Sequence, residues 1–144
     1  MATVVVAAVA LAPSDRVTGS LSAADKVGIY RVILDDRSVF ASAARPATPL
    51  FLVDAKGELS DSDRAGLTLW HPGKWLPLDD VDVRAALPGS VLVEVLYPAK
   101  VANGRVEVQL AEMCGHRCGS GTSYVLIRAG AGWRIIDQQT LMGA

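Results

Sequence analysis

Cys114 and Cys118 stand four apart in the segment Cys114-Gly115-His116-Arg117-Cys118-Gly119-Ser120-Gly121, and the chain of 144 residues has no other cysteine. That spacing admits three chemistries and does not by itself choose among them. If the turn folds back, the two α-carbons come within the roughly 4.4 to 6.8 Å that a disulfide needs. So small a loop would contribute roughly 2 kcal/mol through lost chain entropy, pinning the turn more than stabilising the domain. A metal would find two thiolates and an imidazole in Cys114, His116 and Cys118, with His71 as the nearest idea for a fourth ligand. Structural zinc sites pair such a cluster with a second one, which this chain lacks, so no metal is expected. Redox cysteines of the thioredoxin type use a two-residue spacer at the start of a helix, whereas three residues separate these.

Five other side chains have types suited to a site. His71, between Trp70 and Pro72, is the type of residue that serves as an acid or base near neutral pH, though no carboxylate adjoins it in sequence to set its tautomer. Trp70 and Trp75 flank Pro72-Gly73 and would either stack on a flat ligand or cover the edge of a core. Asp137 and Tyr124 fall opposite each other if the last two strands pair through Arg128 and Trp133, so they form either a proton-transferring pair or a plain hydrogen bond. The acidic groups Asp35-Asp36 and Asp79-Asp80-Val81-Asp82 lack the ligand spacing of a calcium loop and suit helix ends instead. Phosphate loop, nucleophile elbow, dinucleotide fingerprint and two-histidine zinc motif are all missing, so no cofactor is expected.

Elements that position these residues follow from periodicity. Ser22 followed by Asp25 has the form of a capping box and starts a helix whose apolar positions Val27, Tyr30, Ile33 and Leu34 share one stripe. Pro46 and Pro49 end it. Leu50-Phe51-Leu52-Val53, closed by Asp54-Ala55-Lys56-Gly57, reads as a short buried strand. Ser60, Ser62 and Asp63 suggest a cap for a short helix, but residues 58–78 as a whole resist assignment, and Asp79 to Leu87 suggests another short helix or turn.

From Val91 the period becomes two. Val91, Val93, Val95 and Tyr97 share one face and Leu92, Glu94 and Leu96 the other. Val106, Val108 and Leu110 then alternate with Arg105, Glu107 and Gln109. Asn103-Gly104 is a hairpin signal, since both residues tolerate positive φ. Pairing Ala102 with Arg105 sets Tyr97 against Leu110 and leaves Pro98 opposite Gln109 with no N–H to give, so a bulge or longer loop is expected there. Thr122–Arg128 and Trp133–Gln139 make the last hairpin, with Leu126 opposite Ile135. Both faces of that hairpin are partly apolar, which suggests a central place in the sheet.

Composition narrows the function classes. The chain is 51% hydrophobic and 20% charged, which excludes a disordered chain, and its formal net charge of -1 gives no field to attract a polyanion. Lys and Arg are scattered rather than clustered with aromatics, so nucleic acid is not an expected partner. Residues 1–12, MATVVVAAVALA, have the small apolar character of a secretory signal, but no basic residue precedes them. A buried first strand on Thr3-Val4-Val5-Val6 is the alternative. The run is well short of the roughly 20 apolar residues of a spanning helix, so no membrane span is expected.

The Cys114–Gly121 turn, the following Tyr124-Val125-Leu126 and then Gly132-Trp133-Arg134 resemble the C-terminal hairpin of uncharacterised bacterial exported proteins with a nuclear-transport-factor-2-like (cystatin-like) α+β fold. Those proteins carry a Cys-Gly-x-x-Cys-Gly-x-Gly turn, a strand with Tyr and Leu, and Gly-Trp-Lys or Gly-Trp-Arg. Tyr30-Arg31-Val32-Ile33-Leu34-Asp35 resembles the start of their first helix. The resemblance covers about a quarter of the chain. It implies an exported context, periplasmic or secreted, in which the Cys114–Cys118 pair is oxidised, and it implies no activity.

The expectation for the whole is a single α+β domain over residues 13–144, an N-terminal amphipathic helix packed on an antiparallel C-terminal meander of about four strands. It would be a non-enzymatic binding or structural domain whose partner is a small molecule or a protein. A small lyase or isomerase with Asp137, Tyr124 and His71 around a pocket is the alternative, by analogy of fold alone. Intact-mass measurement of the native protein with alkylation, before and after reduction, tests the cysteines. With the disulfide formed, no thiol is labelled until reductant is added and two are labelled afterwards. Metal analysis of the same sample checks the zinc alternative.

Overall fold

A computed structural model describes residues 16–44, 50–67, 74–75, 92–113 and 119–141, with side chains at 37–44, 50, 92, 113 and 119 left aside. In chain order these form α1 (Ala23–Ala44), β1 (Leu50–Asp54), α2 (Asp61–Leu67), β2 (Lys74–Trp75), β3 (Leu92–Leu96), β4 (Lys100–Ala102), β5 (Arg105–Met113), β6 (Gly119–Ala129) and β7 (Gly132–Leu141). The signal-like segment, the helix suggested at Asp79–Leu87 and the Cys114–Cys118 turn lie outside the described residues.

The capping box forms as the sequence indicates. Ser22 N–H donates to Asp25 Oδ2 at 3.0 Å, and Asp25 N–H donates back to Ser22 Oγ at 3.1 Å, so two amides of the first turn are satisfied reciprocally. Tyr30, Ile33 and Leu34 of the expected stripe are fully buried, and Ile29 joins them. Ser60 repeats the device on α2, where Asp63 N–H donates to Ser60 Oγ at 3.1 Å.

The sheet is not the expected four-strand meander, and the cystatin-like arrangement drawn from the sequence is overturned. Among the described residues it has seven strands in the order β2-β1-β3-β5-β6-β7, with β4 beside β5, and it is mixed. β1 runs parallel to both its neighbours: Leu52 stands beside Trp75 of β2 and beside Glu94 of β3. The reason is legible in β1 afterwards. Leu52 enters the core under α1 while Phe51 and Val53 pack on the opposite face with Val93 and Val95, so the strand is apolar on both sides, as suits an interior parallel strand. Its neighbour β2 is two residues long and leaves no periodicity to read. The chain is thus an α+β protein with antiparallel hairpins, extended on one side by a parallel section.

The Asn103-Gly104 hairpin holds, with φ of 54° and 76° and Ala102 opposite Arg105. Lys100 pairs with Glu107, but Leu96 pairs with Leu110, so the β3–β4 side carries one residue more than β5 between those pairs. This is the bulge that Pro98 demanded. It exchanges faces: Leu96, rather than Tyr97, meets Leu110 in the core, and Tyr97 is left 42% exposed on the other side.

The last hairpin keeps the expected Arg128–Trp133 and Leu126–Ile135 pairs. Among the described residues β6 is interior and β7 is the sheet edge, with its residues from Ile136 to Leu141 exposed. Trp133 lies over α1 so closely that a Cβ on Gly28 would sit 3.0 Å from Trp133 Cδ1. Arg128 stacks on the same indole at 4.6 Å from its centroid and reaches Asp25 Oδ1 at 3.3 Å, tying the helix start to the hairpin.

The Asp25 carboxyl is held below its ordinary value of 3.8, first by the Ser22 amide, which outweighs the opposing effect of burial, and then by Arg128 and the Ser22 hydroxyl. A depressed folded pKa contributes stability that is complete above the unfolded value and is lost as pH falls through the folded one. Urea denaturation below pH of about 4 should therefore show falling stability in the wild type and a flatter profile in Asp25→Asn. At neutral pH Ser22→Ala should cost about 1 kcal/mol.

Candidate functional site

Tyr124 and Asp137 do not meet. A second bulge, between the Leu126–Ile135 and Val125–Asp137 pairs, inserts Ile136 into β7, so Tyr124 stands opposite Gln138. Tyr124 is fully buried on the helix-facing side, and its hydroxyl lies 3.5 Å from Asp36 Oδ2 of α1. Asp137 is exposed on the opposite face. The carboxylate nearest Tyr124 thus comes from the helix, a long-range pairing that strand register cannot show.

Trp75 is half-buried against the core, and its indole N–H donates to the Arg64 carbonyl at 3.0 Å, so it covers a core edge. His71, Trp70, Cys114, His116 and Cys118 lie outside the described residues. Among the described residues no group of three His, Cys, Asp or Glu is placed to hold a metal ion, and no helix is long and apolar enough to cross a membrane.

Sequence reasoning passed over two buried carboxylates. Glu94 is fully buried on the core side of β3, level with Leu52 and directly opposite Glu112 of β5. A lone charge within Leu92-Val93-Glu94-Val95-Leu96 was the available signal. Each of the two has an interaction of its own within the protein. Asp54, at the end of β1, is 5% exposed; it accepts the Leu59 amide at 2.8 Å and faces Arg64 at 3.7 Å. Arg64 also donates to the Leu59 carbonyl at 2.8 Å, and Lys26 pairs with Glu58 at 3.3 Å, so this corner is locked to α1. Asp54, Arg64, Lys26 and Glu58 thus hold elements together.

The outer face of the sheet differs. Where the Pro98 bulge lifts the chain from β5, a groove of about 390 Å³ opens, lined by Lys56, Tyr97, Pro98, Lys100, Glu107, Gln109 and Ser123. Its volume falls in the range of small-molecule sites. Lys56, Lys100 and Glu107 make no ion pair among the described residues. A neighbouring hollow shares Glu107 and adds Arg105 and Asn103, so three cations meet one carboxylate along the strip.

The groove is held from beneath. Tyr97 N–H donates to the Gln109 carbonyl at 3.0 Å, Ala55 N–H donates to the Leu96 carbonyl at 3.0 Å, and the buried Tyr30 hydroxyl donates to the Tyr97 carbonyl at 3.2 Å. Burial, and secondarily the Glu58 carboxylate, push the Tyr30 phenol well above the ordinary tyrosine range, so it remains a donor.

No protein-family model matches the chain, and no curated protein matches it. Among solved structures, a sugar N-methyltransferase from Streptoalloteichus sp ATCC 53650 aligns over 92% of this chain and 83% of its own, at 12% identity and a TM-score of 0.26. An overlap that small does not indicate a shared fold.

Tyr30→Phe removes the hydroxyl beneath the bulge and should cost about 1 kcal/mol in chemical denaturation. Faster amide exchange at Tyr97 and Ala99, with α1 unchanged, would locate the loss at the groove.

Proposed function

We propose that the protein is a non-enzymatic binding domain whose outer-face groove takes a small organic anion. The observation that carries this reading is the conjunction of Lys56 and Lys100, both without an ion-pair partner among the described residues, with the exposed Tyr97 ring in one concave site. Two ammonium groups set the sign of the ligand, Tyr97 and Pro98 offer it an apolar surface, and Gln109 and Ser123 offer directional hydrogen bonds. Glu107 stands beside Lys100 and disfavours a ligand of high negative charge. An exported setting, periplasmic or secreted, belongs to the same proposal and rests on the resemblance of the Cys114–Gly121 turn to exported proteins.

A lyase or isomerase acting through Tyr124 and Asp137 has less support, because the two side chains lie on opposite faces of β6 and β7. Acid–base work on one substrate needs both groups within reach of the same reacting atom.

Titration with benzoate and with benzamide, followed by amide chemical shifts, tests the proposal. Benzoate should perturb Lys56, Tyr97, Lys100 and Gln109 together, and benzamide should bind at least about tenfold more weakly. Lys100→Glu should abolish the benzoate response while leaving the thermal melt unchanged. Equal binding of the amide, or perturbations clustered elsewhere, would count against the groove.

A further inference from the structure

The groove beside the Pro98 bulge has an order from one side to the other. Lys56 comes from the turn after β1, Tyr97 and Lys100 from the β3–β4 side, Glu107 and Gln109 from β5, and Ser123 from β6, which follows the order of the strands in the sheet. Among these residues the cations stand on one wall and the oxygen acceptors on the other. Lys100 faces Glu107 and Gln109 faces Ser123 in register. The change of sign therefore falls between two neighbouring strands, a spacing of about 4.8 Å.

Neither wall satisfies itself. Lys100 and Glu107 face each other yet make no ion pair among the described residues, and Lys56 makes none there either. The side chains of Gln109 and Ser123 make no hydrogen bond among the described residues. A direct pair between an exposed lysine and an exposed glutamate is worth little, so a ligand that comes between Lys100 and Glu107 forfeits little. The groove thus offers two ammonium groups that only donate and, one strand away, a carboxylate that only accepts, with an amide and a hydroxyl beside it. A plain carboxylic acid answers one wall and is repelled by the other. A molecule with opposite charges on one carbon answers both.

We propose, building on the anion-binding reading of this groove, that its ligand is an α-amino acid with an aromatic side chain. The carboxylate takes the ammonium groups of Lys56 and Lys100. The α-ammonium has three N–H donors and meets three acceptors: the Glu107 carboxylate, the Gln109 side-chain carbonyl and the Ser123 hydroxyl. Opposite charges lie next to each other in the ligand, as they do in the facing pair Lys100 and Glu107. The aromatic side chain lies on the Tyr97 ring, which is 42% exposed and whose backbone is fixed by the Gln109 carbonyl. Glu107 is then the residue that selects, attracting the amino acid and repelling the plain acid of the same shape.

Three probes separate the walls in titrations followed by amide chemical shifts at neutral pH: phenylalanine, hydrocinnamate, which lacks the ammonium, and phenethylamine, which lacks the carboxylate. Phenylalanine should perturb Lys56, Tyr97, Lys100, Glu107 and Ser123 together and bind at least about fivefold more tightly than either analogue. Glu107→Gln should weaken phenylalanine at least about fivefold and tighten hydrocinnamate, two opposite changes that loss of structure cannot produce. The position is exposed, and circular dichroism of the variant verifies that it is folded. Hydrocinnamate bound in the groove with phenylalanine no tighter, or a Glu107→Gln variant in which both ligands move the same way, would overturn the amino-acid assignment alone. Hydrocinnamate that leaves the groove unperturbed would overturn the anion reading and the amino-acid assignment with it.

Discussion

Pro98 has no N–H to give to β5, and the chain around it is organised by that lack. One residue more is placed on the β3–β4 side than on β5, and every side chain before it changes face relative to the simple hairpin. With the bulge, Leu96 and Leu110 close the core beneath Tyr30, and Tyr97 turns outward. Without it, a tyrosine would compete for the place of a fully buried leucine, a side chain whose burial is worth about 1.5 to 3 kcal/mol. The Tyr30 hydroxyl, donating to the Tyr97 carbonyl, then fixes the lifted segment to the helix. The groove on the outer face is the other side of the same distortion.

The helix is seated by contacts that reach both ends of the sheet. At its start, Asp25 serves the cap and Arg128 together, and Gly28 leaves room for the Trp133 ring. Farther along, Lys26 reaches Glu58 in the turn after β1, near the corner where Asp54 and Arg64 brace α2. These ion pairs are partly exposed and each is worth little alone; their geometry works by orienting elements whose attraction is apolar.

A second single-residue insertion, at Ile136, decides what the last hairpin offers. It separates Asp137 from Tyr124 and so removes the pair that the unbulged register would place on one face. Tyr124 finds Asp36 instead, across the core. Both bulges therefore turn charged or aromatic groups outward while the apolar layer beneath α1 stays closed.

Much of the local structure was determined by the sequence alone. The Ser22 and Asp25 pair, the stripe of Tyr30, Ile33 and Leu34, the Asn103-Gly104 turn, the pairing of Arg128 with Trp133 and the need for a break at Pro98 all follow from interactions between near neighbours. What tertiary structure decided was whatever required distant partners. β1 is parallel to β3 because its two faces meet two different apolar layers, and β2, being two residues long, becomes a strand only by lying beside β1. The partner of Tyr124, the burial of Glu94 and the bulge at Ile136 depend on how α1 and β7 fit against a finished sheet. No periodicity records those fits. Pro98 lies on the boundary between the two: its missing donor was written in the sequence, but only the packed core determined that Leu96 would turn inward and Tyr97 out.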